Sequence, residues 1–202
     1  MKKAVITAVA LTLVVCLAIG GTLAYLMQKT DPVTNTFAVG DINIELKEHE
    51  LVNGVLGTNE VTSNNTYKVV PGGSQPKDPF VRVAANSEDC WVYVCVVNNM
   101  VIDKNIVVTY EVANTWTQVA TQTDANTGVV TTLYRYNAKV ETSNQAQTLS
   151  VFTTVSYSKD ILKTNIQQLK DKTIVLTAFA HQSANVNQTE VDKTAKTQFG
   201  LQ

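Results

Sequence analysis

Eight consecutive residues, Cys90-Trp91-Val92-Tyr93-Val94-Cys95-Val96-Val97, are apolar, β-branched or aromatic without interruption. A run of this length bounded by polar residues is too short for a free-standing helix and reads as a strand covered on both faces. A chain with such a strand must supply one layer above it and another below. The two cysteines in the run lie five residues apart, so on a straight strand they point to opposite faces and are expected to remain free thiols.

Other segments carry the same kind of signal. Ile42, Ile44 and Leu46 alternate with polar residues at period 2, and further strands are expected at 80–84, 106–112, 115–120, 129–136, 149–155 and 174–180. Turn chemistry separates them at Pro71-Gly72-Gly73, Asn98-Asn99, Asp124–Gly128 and Ser143-Asn144. One helix of about three turns is expected after a cap at Asp160, with Ile161, Leu162, Ile166 and Leu169 on one side. The expectation is therefore all-β: a jelly-roll-like β-sandwich with one short helix.

Ahead of this domain stands a leader. Lys2 and Lys3 precede an uncharged apolar stretch that ends in Gly20-Gly21-Thr22-Leu23-Ala24-Tyr25-Leu26. The glycines break the apolar helix, and Thr22 and Ala24 supply the small −3 and −1 side chains of a signal-peptidase site. Cleavage before Tyr25 gives a secreted protein found in an extracellular matrix or on the cell surface. A retained membrane anchor is the alternative, since about 20 apolar residues suffice to span a bilayer. Cleavage removes Lys2 and Lys3 and no acid, so 16 basic residues become 14 against 17 acidic, a net charge of −3. That mild acidity, with no basic block, argues against nucleic acid as a partner.

The expected organisation is a signal peptide at 1–24, an N-terminal arm at 25–39 and a β-sandwich domain at 40–202. The arm holds Tyr25, Leu26, Met27, Val33, Phe37 and Val39, too many apolar side chains for a solvated tail. Phe37 and Val39 are odd-numbered and Ile42, Ile44 and Leu46 even, so the inward phase slips at Gly40-Asp41, as at a bulge or hinge. Such an arm either folds back on its own domain as an edge strand or fills a groove elsewhere.

The leader followed by Asn35-Thr36-Phe37-Ala38-Val39-Gly40 resembles the N-terminus of TasA and camelysin family proteins, exported through the signal peptidase SipW in Gram-positive bacteria. The resemblance continues through Val70-Pro71-Gly72-Gly73, Lys77-Asp78-Pro79, Ser87–Val94, Trp116, Leu149–Val155 and Ile174–Gln182. His181 and the stretch from Glu48 to Thr66 depart from it. It implies a structural subunit of biofilm-matrix or surface fibres, self-associating by donor-strand exchange through the arm, with an accessory matrix protein as a further partner and no cofactor. It also implies two alternatives, a camelysin-like surface metallopeptidase and a membrane-retained fibre anchor.

The residues themselves offer little for catalysis, and no enzyme is expected. A zinc peptidase helix needs His-Glu-x-x-His, and His49-Glu50-Leu51-Val52-Asn53 lacks the second histidine. The only ligand candidates are His49, Glu50 and the distant His181, read as a solvated histidine with its neighbour and a strand-borne histidine. No serine or cysteine sits in a nucleophile setting, and Asp124, Asn126 and Gly128 read as a hairpin turn rather than a calcium loop.

Overall fold

Seven buried positions among the nine from Cys90 to Asn98 explain the layers. A computed structural model describes residues 41–62 and 65–202; the leader, the arm and the phase slip at Gly40 lie outside them. The run forms β5 (Cys90–Asn98), one of the two inner strands of a four-stranded antiparallel sheet whose other members are β9 (Trp116–Thr123), β10 (Val130–Tyr136) and β13 (Ile174–Gln182). Their spatial order is β13-β5-β10-β9. A second four-stranded sheet has the order β11-β4-β1-β2, from β1 (Ile44–Val52), β2 (Val55–Val61), β4 (Phe80–Val83) and β11 (Gln147–Ser150). Smaller sheets join β3 (Ser74–Pro76), β12 (Thr154–Tyr157) and β8 (Val108–Tyr110), and pair β6 (Val101–Ile102) with β7 (Asn105–Ile106). The protein is thus an all-β sandwich in which the chain passes repeatedly between sheets.

Period 2 along β5 decides what each face does. Cys90, Val92, Val94 and Val96 point into the sandwich, against Val81 and Val83 of β4 and against Leu149, Val151 and Phe152. Tyr93 and Cys95 point outward with Leu133 of β10, and helix α1 (Gln188–Gln198) covers them with Val191 and Ala195. Both cysteines are buried and free, one on each face. Burying a valine or leucine completely is worth about 1.5–3 kcal/mol, so this double-covered strand contributes strongly to stability.

Several expectations need correction. The helix expected after Asp160 is a single 3-10 turn, Ile166–Leu169, and Leu162 is exposed. Asn165 is the reason: its Oδ1 accepts from the Leu162 N–H at 2.7 Å and its Nδ2 donates to the Asp160 carbonyl at 3.3 Å, offering the backbone an alternative to helical pairing. The helix stands instead at α1, where Asn187 Oδ1 accepts from the Glu190 N–H at 2.9 Å as an N-cap. The expected strand 149–155 divides, because Val151 and Phe152 turn into the core while the chain crosses from β11 to β12. The expected strand 106–112 likewise breaks at Val107. The stretch 48–66, which follows no pattern in the sequence reading, contains the β1–β2 hairpin, turned by Asn53 (φ 52°) and Gly54 (φ 81°). Two residues in the left-handed region give the hairpin turn whose twist suits antiparallel strands.

Candidate functional site

The sandwich is tightly closed along β4 and β5 and open along β1 and β13. Residues Ile44–Lys47 of β1 pair with β4, whereas β2 pairs only with the later stretch from Glu48 to Val52. Strand β13 is the edge of its sheet among the described residues. Ile42, Ile44 and Leu46 on one side, and Ile174, Leu176, Ala178 and Ala180 on the other, lean on the inner core while remaining partly exposed. Between Leu46–Glu48 and Ile174–Leu176 lies a cleft of about 590 Å³. Val69, Met100, Val155 and Leu169 contribute apolar walls.

One end of the cleft is polar. Lys77, at the start of the step into β4, is only 9% exposed, and its Nζ lies 2.5 Å from Glu48 Oε2. The Tyr67 hydroxyl donates to the same oxygen at 3.2 Å, and the Tyr67 ring faces the ammonium at 5.0 Å. Burial, and next the Glu48 carboxylate, push the Tyr67 phenol well above its ordinary value, so it stays a proton donor at any ordinary pH. Glu48 Oε1 accepts from Asn65 Nδ2 at 2.9 Å. The Asn65 amide also takes the place of a strand partner for β1: Nδ2 donates to the His49 carbonyl at 2.8 Å, and Oδ1 accepts from the Leu51 N–H at 2.7 Å. It can do so because the β1–β2 register shifts between His49 and Leu51.

The residues singled out from sequence fall as follows. Thr22, Ala24 and Tyr25 of the cleavage site, and Leu26, Met27, Val33, Phe37, Val39 and Gly40 of the arm, lie outside the described residues. His49 is not a solvated histidine. Its Nδ1 is 2.6 Å from Asp78 Oδ2, its N–H donates to Asp78 Oδ1 at 3.1 Å, and its ring packs 5.5 Å from that of Phe80. Glu50 instead accepts from Asn59 Nδ2 at 3.0 Å. His181 is on β13, opposite Trp91, with Nδ1 2.8 Å from the Gln182 carbonyl. Among the described residues no three His, Cys, Asp or Glu side chains form a group that could hold a metal ion.

Asn65, Tyr67 and Lys77 were not singled out as site residues. The Lys77-Asp78-Pro79 step was visible, but nothing in its spacing says that the lysine turns inward. Comparison with protein-family models, with curated proteins and with solved structures finds no match. No helix among the described residues is long and apolar enough to cross a membrane.

Proposed function

We propose that the protein is a secreted structural subunit of extracellular fibres in a biofilm matrix or at the cell surface, of the TasA and camelysin type. The N-terminal arm 25–39 of one copy adds as a strand beside β13 of the next. The observation that carries this reading is the incompletely covered apolar row Ile174, Leu176, Ala178 and Ala180, on an edge strand beside the cleft. An edge strand offers unpaired backbone groups, and alternate pockets beside it accept alternate side chains of an incoming strand. Tyr25, Leu26, Val33, Phe37 and Val39 supply apolar side chains of the kind such pockets take. The contact is head-to-tail and does not close on itself, so it extends into a filament. Signal cleavage before Tyr25 frees the arm and thereby controls when growth starts.

Electron microscopy of purified residues 25–202 beside a chain beginning at Gly40 tests this. Filaments from the first and monomers from the second are expected. Leu176→Glu in the longer chain, placing a charge in the cleft, should also leave monomers. Equal polymerisation by all three would overturn the reading.

A further inference from the structure

We propose that Lys77 and Asn65 become joined by an intramolecular isopeptide bond, with Glu48 as the catalytic carboxylate that carries a proton between them. Lys77 is one of few buried polar side chains here, and lysines are seldom buried without full pairing. An ammonium has three hydrogens to place. The contacts of Lys77 are one oxygen of Glu48 and the face of Tyr67. The other oxygen of that same carboxylate holds the side-chain nitrogen of Asn65. A nucleophile and a leaving group are therefore bridged by a single proton acceptor.

The acyl carbon between them is also prepared. Asn65 Oδ1 receives the Leu51 N–H, a backbone donor aimed at the oxygen on which negative charge builds during attack. Asn65 Nδ2 is fixed on its other hydrogen by the His49 carbonyl, so the amide cannot rotate away. Val69, Val155 and Pro79 line the same cleft and limit the water around the reacting groups. Holding the partners in place replaces a bimolecular encounter with an intramolecular one, the largest advantage a slow amide exchange can have.

The step balances without any added reagent. Lys77 Nζ gives one proton to Glu48 Oε2, and its freed lone pair attacks Asn65 Cγ. The Cγ–Nδ2 bond breaks as the attacking nitrogen releases a second proton. The departing nitrogen takes the bond's electron pair and both protons and leaves as ammonium, and Glu48 is a carboxylate again. Ammonium plus primary amide has become secondary amide plus ammonium. The new bond fastens the irregular segment at Asn65–Val69, one wall of the cleft, to the link that leads from β3 into β4. Both cysteines of the described residues are free thiols, so this bond would be the covalent tie in the domain.

Intact mass and a tryptic map of the purified full chain, taken after complete unfolding, test the proposal. The expected result is a mass lower by one ammonia, no cleavage after Lys77, and a branched peptide containing both Asn65 and Lys77. Glu48→Gln and Lys77→Arg, checked for native circular dichroism, should each restore the unmodified mass. A folded wild-type protein with the unmodified mass and ready cleavage after Lys77 would overturn the proposal. So would loss of ammonia with Lys77 still cleavable and a chain that hydroxylamine cuts between Asn65 and Thr66, which would mark a succinimide at Asn65.

Discussion

Strands β5 and β13 lie side by side, in register over nine residue pairs from Ile174↔Asn98 to Gln182↔Cys90. Both are rich in apolar residues, yet they differ completely in burial. Every residue of β5 is buried apart from Trp91 and Val97, which are partly so, while no residue of β13 is buried. The cause is what surrounds them. Strand β5 has a strand neighbour on each edge, the second sheet beneath and α1 above, whereas β13 is paired on one edge only among the described residues and its two faces are only partly covered. Apolar composition thus shows that a segment is meant to be covered, and the neighbours decide whether it already is. On β13 the apolar surface is still available, which is the reason it is read as a docking edge.

The largest expected effect separates the closed region from the open one. Leu133→Ala, beneath α1 and fully buried, should destabilise the domain by about 2–5 kcal/mol in urea unfolding. Leu176→Ala on β13 should cost less, about 1 kcal/mol, in a chain beginning at Gly40, because part of the side chain is already in water there. Equal costs would mean that β13 is covered after all, and the contrast would fail. Next in size is Asp192→Ala on α1. Its carboxylate accepts from the Tyr93 hydroxyl at 2.7 Å and pairs with Arg135 at 2.6 Å, both largely shielded from solvent. Its removal leaves the Tyr93 hydroxyl without an acceptor and takes the carboxylate from Arg135, and should cost about 2 kcal/mol, loosening the cover over the outer face of β5.

How far the sequence anticipates this contrast depends on the range of the physics involved. Strand β5 was legible because a continuous apolar run has few other uses, and period 2 alone placed Cys90 and Cys95 on opposite faces. The turn at Asp124–Gly128 was legible too: Asp124 Oδ1 accepts from the N–H groups of Asn126 and Thr127, a purely local device. Helix α1 was not, because its apolar stripe is reduced to Val191 and Ala195. The sign available was the cap, Asn187 followed three residues later by Glu190. Asn53-Gly54 was an equally available hairpin signal, hidden by the polar residues around it. The cluster of Glu48, Asn65 and Lys77 was out of reach, because it exists only where a register shift in β1 exposes backbone groups to a side chain from another segment.

Thiol chemistry sharpens the comparison at smaller scale. Burial pushes the Cys95 thiol up to about 11; burial first, and then the Asp89 carboxylate, push the Cys90 thiol up to about 11 as well. At neutral pH almost no thiolate is present, so a thiol-specific reagent should label the native protein slowly and the urea-unfolded protein at once. Labelling then follows the opening of β5. Cys90, at the strand end opposite Gln182, should react before Cys95, opposite Thr177 at the strand centre. The reverse order would mean that the open side of the sandwich, rather than the strand end, gives way first.

The smallest effect belongs to the exposed charges on the sheet that carries β1. Arg82 donates to both Glu60 oxygens, at 2.7 and 2.5 Å, across β1 from β2. That pairing holds the Glu60 carboxyl down from 4.5 to about 2. A carboxyl whose folded value is depressed contributes stability that is present above its unfolded value and is lost as pH falls through its folded one. The contribution should therefore be intact at neutral pH, decline from about pH 4.5 and vanish near pH 2. Urea midpoints of wild type and Glu60→Gln, measured across that range, should differ slightly at pH 7 and converge at the acid end. Added salt should narrow the difference at pH 7, because solvent-facing ion pairs are screened. A difference that persists at pH 2 would show that Glu60 acts through packing along the β1–β2 hairpin instead, and would place that hairpin with the closed part of the molecule rather than with its open edge.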